Sequence, residues 1–199
     1  KVTRADVSNA AFPFAAWREF KISDRIPVRT LRLGFVGELS YELHTPASYL
    51  QSLWDVLDAA GREFDIGPFG LEAQNVLRME KGHLIIGSES EQRTTLNDLG
   101  LGFLWTRDKS DPKTVGAAAL RHTAGQSGRL KLVGIEMEDP RRVPEDGSLV
   151  VDQRIRGYVC TARFSVSLQK SVGMALVEEP LTTPGQRLDI FEAGGGRRR

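Results

Sequence analysis

An ionised carboxylate accepts hydrogen bonds and donates none, so a glutamate fixed on a strand can read a parallel pair of N–H donors. Glu42 stands in such a place. In Tyr41-Glu42-Leu43-His44-Thr45, residues Tyr41, Leu43 and Thr45 share one face of an extended segment, and Glu42 and His44 share the other. The preceding Gly37-Glu38-Leu39-Ser40 suits a turn that brings backbone close to a ligand. A strand carboxylate is also commonly just a solvated side chain, so its type and spacing set Glu42 apart without proving a role.

The other reactive residue types read as ordinary. His44, His83 and His122 are scattered with no metal-ligand spacing, so no metal site is expected. Cys160 lies in the apolar run Tyr158-Val159-Cys160-Thr161, where a thiol packs as a small hydrophobe. Arg141-Arg142 and the terminal arginines read as solvated surface. The chain contains no Gly-x-Gly-x-x-Gly at a strand-to-helix junction, no Walker-type loop and no His-Glu-x-x-His helix. A self-contained nucleotide site or zinc protease is thereby excluded.

The elements that must position Glu42 follow from periodicity. Leu31, Leu33 and Phe35 alternate over 30–35 as a half-buried strand, the second strand runs over 41–45, and Pro46 ends it. Leu50, Leu53, Trp54, Leu57 and Ala60 then recur at helical spacing, with Gly61 as the stop. A second helix is expected after Gly67-Pro68, with Phe69, Ala73, Val76 and Leu77 buried, Leu71, Gln74 and Arg78 on an adjacent face, and Gly82 beyond its end. A short helix is expected near 115–120. After the small, polar stretch 123–128, β-rich runs at 130–137, 148–151, 155–162, 171–177 and 187–191 alternate with Pro and Gly turns, the pattern of a small antiparallel barrel or sandwich.

With 199 residues, 40% of them apolar, the chain can build one large domain or two small ones. The net charge of +1 becomes −2 without the three terminal arginines, so a nucleic-acid partner is not expected. A single cysteine rules out an intrachain disulfide and fits a reducing, cytoplasmic location. No apolar run reaches the roughly 20 residues of a membrane helix, and no membrane association is expected. The start at Lys1 without Met, and the end in a Gly/Arg run, read as cuts in a longer polypeptide.

Three stretches carry a family resemblance. Phe35-Val36-Gly37-Glu38-Leu39-Ser40-Tyr41-Glu42-Leu43 is the first, and Leu71-Glu72-Ala73-Gln74-Asn75-Val76-Leu77-Arg78-Met79-Glu80-Lys81-Gly82 the second. The third is Leu99-Gly100-Leu101-Gly102 with Lys109-Ser110-Asp111 and Val115-Gly116. Together they resemble the tetrahydrofolate-dependent aminomethyltransferase family, which includes the glycine cleavage T-protein and the folate-binding part of dimethylglycine and sarcosine oxidases. Runs 157–165 and 170–177 resemble its C-terminal barrel, and Asn9-Ala10-Ala11-Phe12-Pro13-Phe14 is most similar to the heterotetrameric sarcosine oxidase alpha branch.

The resemblance implies an α+β chain. Residues 1–122 would be the C-terminal half of a mixed α/β folate-binding domain, and 123–199 a small antiparallel β-barrel. It implies tetrahydrofolate as cofactor, with Glu42 on the pterin, Phe35 where the family often has a tyrosine, Gln74 where the T-protein pattern has arginine, and Arg78 retained. The family's catalytic aspartate precedes the residues present here, so no catalytic residue is expected in this chain. The implied role is capture of a one-carbon unit from an amine as 5,10-methylenetetrahydrofolate beside other oxidase subunits, with flavin and NAD held elsewhere in the parent. The alternatives are a free-standing aminomethyltransferase working with a lipoyl carrier protein, and a non-catalytic folate-binding module.

Overall fold

The computed structural model describes residues 1–105, 114–192 and 196–198, the last as backbone. Lys109-Ser110-Asp111 of the family pattern therefore lies outside the described residues. The architecture is mixed helix and strand, in two compact units, Lys1–Gln74 and Asn75–Arg199.

The first unit is built on an antiparallel sheet, β1 (Trp17–Ile22), β2 (Ile26–Leu31) and β3 (Glu42–His44), in that spatial order. The β1–β2 hairpin turns through Ser23 and Asp24, both at positive φ, with the Arg25 amide donating to the Ile22 carbonyl. The strand expected over 30–35 is corrected: β2 ends at Leu31, and Leu33 and Phe35 lie beyond it. The reason is local. At Gly34 the chain doubles back so closely that a Cβ would sit 2.7 Å from the Glu38 carbonyl oxygen, and Gly37 at φ 85° completes the turn.

The inner face of the sheet carries Ile22, Ile26 and Val28, which bury against Leu53 of helix α1 (Leu50–Gly61), with Phe20, Leu43, Val56 and Leu57 around them. Gly61 is the last residue of this helix, in the right-handed region at φ −84° rather than a left-handed stop beyond it, and a Cβ there would overlap the Ile66 side chain at 2.3 Å. The chain leaves through a 3-10 turn, Arg62–Phe64, and the left-handed residue is Asp65 at φ 56°.

Helix α2 (Leu71–Lys81) crosses the division between the units. Its burial changes along the axis rather than around it, which corrects the expected stripe. Phe69, before the helix, and Leu71 and Ala73 in its first turn are exposed, Val76 and Leu77 are half-buried, and the buried residues are Arg78 and Met79 near the C-terminal end. The segment after Gly82 is held by an interior ion pair. Arg78 Nη1 lies 2.9 Å from Glu89 Oε2, with the side chains 2% and 0% exposed. Arg78 also donates to the His83 carbonyl, and Glu89 accepts from the Ile85 amide and the Ser88 hydroxyl.

The second unit also contains helix α3 (Ala117–Thr123) and an antiparallel sheet of β4 (Leu130–Glu136), β5 (Leu149–Asp152), β6 (Arg154–Ser165), β7 (Lys170–Glu178), β8 (Ile190–Glu192) and β9 (Gly196–Arg198). The spatial order is β4-β7-β6-β5-β8-β9. β4 to β8 each overlap one of the five expected β-rich runs. Val150, Ala175 and Val177 form one apolar cluster, and Met137, Val159, Ala162 and Ile190 another. Before β4, buried Asp98 accepts from the Thr95 amide and hydroxyl and from Arg129, with Lys131 at 3.3 Å. Burial alone would raise its pKa, but these donors outweigh it and hold the carboxyl well below its ordinary value.

A folded-state pKa below the unfolded one adds stability above the ordinary aspartate value of about 3.9, and that stability is lost as pH falls through the folded value. The urea midpoint of the wild type is therefore expected to drop as pH is lowered past about 4. Asp98→Asn should be less stable at pH 7 and flatter in this range. Removing one partner of the interior pair, by Arg78→Ala or Glu89→Ala, should cost about 3–5 kcal/mol in urea denaturation. Replacing both by Met and Leu should cost clearly less than either single change.

Candidate functional site

Strand β3 is short, and side chains on either side of it and within it pin its inner face. The Tyr41 hydroxyl donates to the Val7 carbonyl at 2.9 Å, and its ring packs on buried Phe12 at 5.8 Å between centroids. The Thr45 hydroxyl donates to the Pro27 carbonyl at 2.8 Å, and Leu43 enters the apolar core between them. With 41, 43 and 45 held inward, the two-residue period forces Glu42 and His44 outward. The Glu42 side chain is 55% exposed. Its one partner among the described residues is His44, whose Nε2 lies 3.4 Å from Oε2, so no Lys or Arg occupies the carboxylate.

The register defines the rest of this outer face. Leu31 of β2 stands opposite Glu42, and Trp17 of β1 stands opposite Leu31. In the next row Glu19, Arg29 and His44 lie across from one another. Glu19 takes hydrogen bonds from Arg29 Nε and Nη2 at 3.0 and 2.7 Å, and the same guanidinium carbon sits 5.4 Å from the Trp17 ring centroid. The outer face thus presents an aromatic ring, an aliphatic floor and a carboxylate in one row.

Of the four candidate residues, Glu42, Phe35 and Gln74 belong to the first unit. Phe35 is half-buried in the tight 34–40 loop that leads into β3, and Gln74 is half-buried on α2. Arg78 lies one turn further along α2, in the second unit, and its guanidinium is committed to Glu89 and the His83 carbonyl with Nε buried and unpartnered. Trp17 was not legible as a site residue. The hairpin turn that carries it lacks the glycine that normally announces such a turn, and Pro27 weakens the strand signal of β2.

Cys160 is the extra residue of a β-bulge, between Val159 paired with Ala175 and Thr161 paired with Met174. Burial, reinforced by the charge of Glu89, pushes its thiol up to about 12, which leaves it no nucleophilic thiolate near neutral pH. Among the described residues no group of three or more His, Cys, Asp or Glu is gathered to hold a metal ion, and no helix is long and apolar enough to cross a membrane.

Comparison with known proteins places this architecture. The model of the GCVT N-terminal domain matches residues 1–109, and that of the glycine cleavage T-protein C-terminal barrel domain matches 131–198. A sarcosine oxidase subunit alpha from Corynebacterium sp. strain P-1 is 31% identical over 223 residues, covering 99% of this chain and 23% of the relative. An aminomethyltransferase from Caldanaerobacter subterraneus subsp. tengcongensis is 31% identical over 197 residues, covering 96% of this chain and 50% of the relative. The crystal structure of the glycine cleavage system aminomethyltransferase T from Bartonella henselae superposes with a TM-score of 0.77 at 22% identity, over 85% of this chain and 47% of that one. The chain spans half or less of the length of these relatives. With the first model covering more than half of its residues and the second most of the remainder, the chain belongs to the glycine cleavage T-protein (aminomethyltransferase) family.

Proposed function

We propose that this chain is the tetrahydrofolate-binding portion of a one-carbon-transferring protein of the sarcosine oxidase alpha type. A one-carbon unit taken from an amine would be captured there as 5,10-methylenetetrahydrofolate. The observation that carries the reading is Glu42: an outward carboxylate on a pinned strand, with no Lys or Arg paired to it among the described residues and only His44 at 3.4 Å. A pterin ring presents N3–H and its 2-amino group as two parallel donors, the arrangement a fixed carboxylate accepts. Tetrahydrofolate supplies N5 as the atom that receives the one-carbon unit.

In this reading Glu42 binds and orients the ring, and Phe35 offers an aromatic face from the adjoining loop. Gln74 offers a neutral hydrogen-bonding end where an arginine would pair ionically with the folate glutamate tail, so the tail is held less tightly. Arg78, which the family pattern retains, fixes the C-terminal end of α2 through Glu89. No residue of this chain is assigned a proton-transfer step, and transfer depends on holding the reactants together and excluding water. The boundary between the folate-binding part, 1–122, and the barrel, 123–199, falls between the two matched stretches. Partner oxidase subunits would carry flavin and NAD, and the single buried cysteine suits a reducing, cytoplasmic setting.

The second reading, a glycine-cleavage-type aminomethyltransferase serving a lipoyl carrier protein, is supported by aminomethyltransferase relatives that match 96% of the chain. Both readings place folate at Glu42. Calorimetric titration with 5-formyltetrahydrofolate should show saturable binding, and Glu42→Ala should weaken it roughly 10- to 100-fold, the range for a lost charge-assisted hydrogen bond. Equal affinity of wild type and Glu42→Ala would overturn the assignment.

A further inference from the structure

The outer face of the β1–β2–β3 sheet holds more than the carboxylate. Trp17 lies in the same cross-strand row as Glu42, separated from it only by Leu31. Adjacent strands stand about 4.8 Å apart, so the indole and the carboxylate flank a gap of roughly 9–10 Å floored by a half-exposed leucine. Trp17 is 61% exposed in this chain, on a strand whose opposite face sends Phe20 and Ile22 into the core. Beside it, Glu19 takes two hydrogen bonds from the Arg29 guanidinium, and that guanidinium lies against the indole ring. An exposed aromatic ring and a carboxylate at the two ends of one row, with an aliphatic floor between them, suit a flat ligand that is apolar on its faces and polar at one edge.

We propose that Trp17 is the aromatic wall of the ligand face whose hydrogen-bonding end is Glu42, so that a flat heterocycle lies over Leu31 with its N–H edge on the carboxylate and its far edge against the indole. The inference rests on the folate reading of Glu42 and extends it to a residue that neither spacing nor family pattern singles out. It also gives the face its selectivity. The carboxylate rejects rings without adjacent N–H donors, and the indole rejects small, non-planar amines that could otherwise pair with an exposed glutamate.

The test uses the whole chain with two probes, 5-formyltetrahydrofolate and 6-methyltetrahydropterin, the latter having the ring and no glutamate tail. Affinity is read by calorimetry and Trp emission by titration. Trp17→Ala should weaken both probes about 5- to 10-fold, the effect of losing one edge-to-face aromatic contact. Trp17→Phe should stay within about threefold of wild type, because the aromatic face is retained. Ligand-induced quenching should fall sharply in Trp17→Phe while calorimetric binding persists, since the remaining Trp54 and Trp105 lie outside the row. All three proteins should melt within a few degrees of one another.

Unchanged affinity in Trp17→Ala, with Glu42→Ala still defective, would overturn the role of Trp17 and leave the folate reading intact. A loss in Trp17→Ala that tracks a lower melting temperature and is not rescued by Phe would assign the residue to sheet packing and overturn the proposal. Absence of binding by the wild-type chain, or equal binding by Glu42→Ala, would overturn the folate reading and this inference with it.

Discussion

The site depends on which way a three-residue strand faces. Strand β3 contributes little pairing of its own, so its orientation is set by the side chains that turn inward: Tyr41 on Val7 and Phe12, Leu43 in the core, Thr45 on Pro27. These contacts tie β3 to the N-terminal segment and to β2. A slip of one residue would carry Glu42 into the apolar cluster, where an unpaired carboxylate costs several kcal/mol, and bring Leu43 into water. The burial that makes the core is thus the force that presents the carboxylate. Exposure of Glu42 is a consequence of packing rather than an accident of surface composition.

How much of this was legible in the sequence depended on whether the signal was local. The alternation of 41–45 is strict, and it located Glu42 and its neighbours correctly. The β-rich runs of the second unit were legible for the same reason, since Pro and Gly turns separate them and their apolar residues are dense. The hairpin before β3 was not. Its turn uses Ser23 and Asp24 at positive φ, conformations that sequence pattern assigns to Gly or Asn, and the apparent strand over 30–35 ran past the true end of β2. Leu33 and Phe35 are both half-buried beside the fold-back at Gly34, a pattern that a period of two cannot distinguish from a strand.

Helix α2 shows a second kind of limit. Periodicity assumes that one side of a helix faces the core along its whole length, but this helix is exposed at its start and buried at its end, where it runs into the second unit. An arginine at a buried position has no reading in apolar spacing. It becomes intelligible only with Glu89, eleven residues on and 0% exposed, in a loop with no regular pattern. The same residue can look like a ligand-binding arginine in a linear motif and act in the fold as the clamp on a loop. Gln74, one turn earlier and half-buried, has no comparable side-chain partner among the described residues, although the two positions share a face.

These placements argue for a division of labour within the chain. The interior contacts, Arg78 with Glu89 and Asp98 with Arg129 and Lys131, are structural: each joins a helix end or loop to the next segment, the first closed to solvent and the second with only the Asp98 carboxylate buried. The open charges that remain on the sheet face are differently disposed. Glu19 is satisfied by Arg29, whereas Glu42 meets, among the described residues, only a histidine at 3.4 Å. A carboxylate left short of donors on a rigid strand gains most from a ligand that brings two of them in parallel, and little from one that brings a single mobile cation, since a lone ion pair in water is worth about 1 kcal/mol or less. On the proposed reading, selectivity for a planar N–H edge would follow from the direction in which the pinned strand presents the carboxylate rather than from the number of contacts.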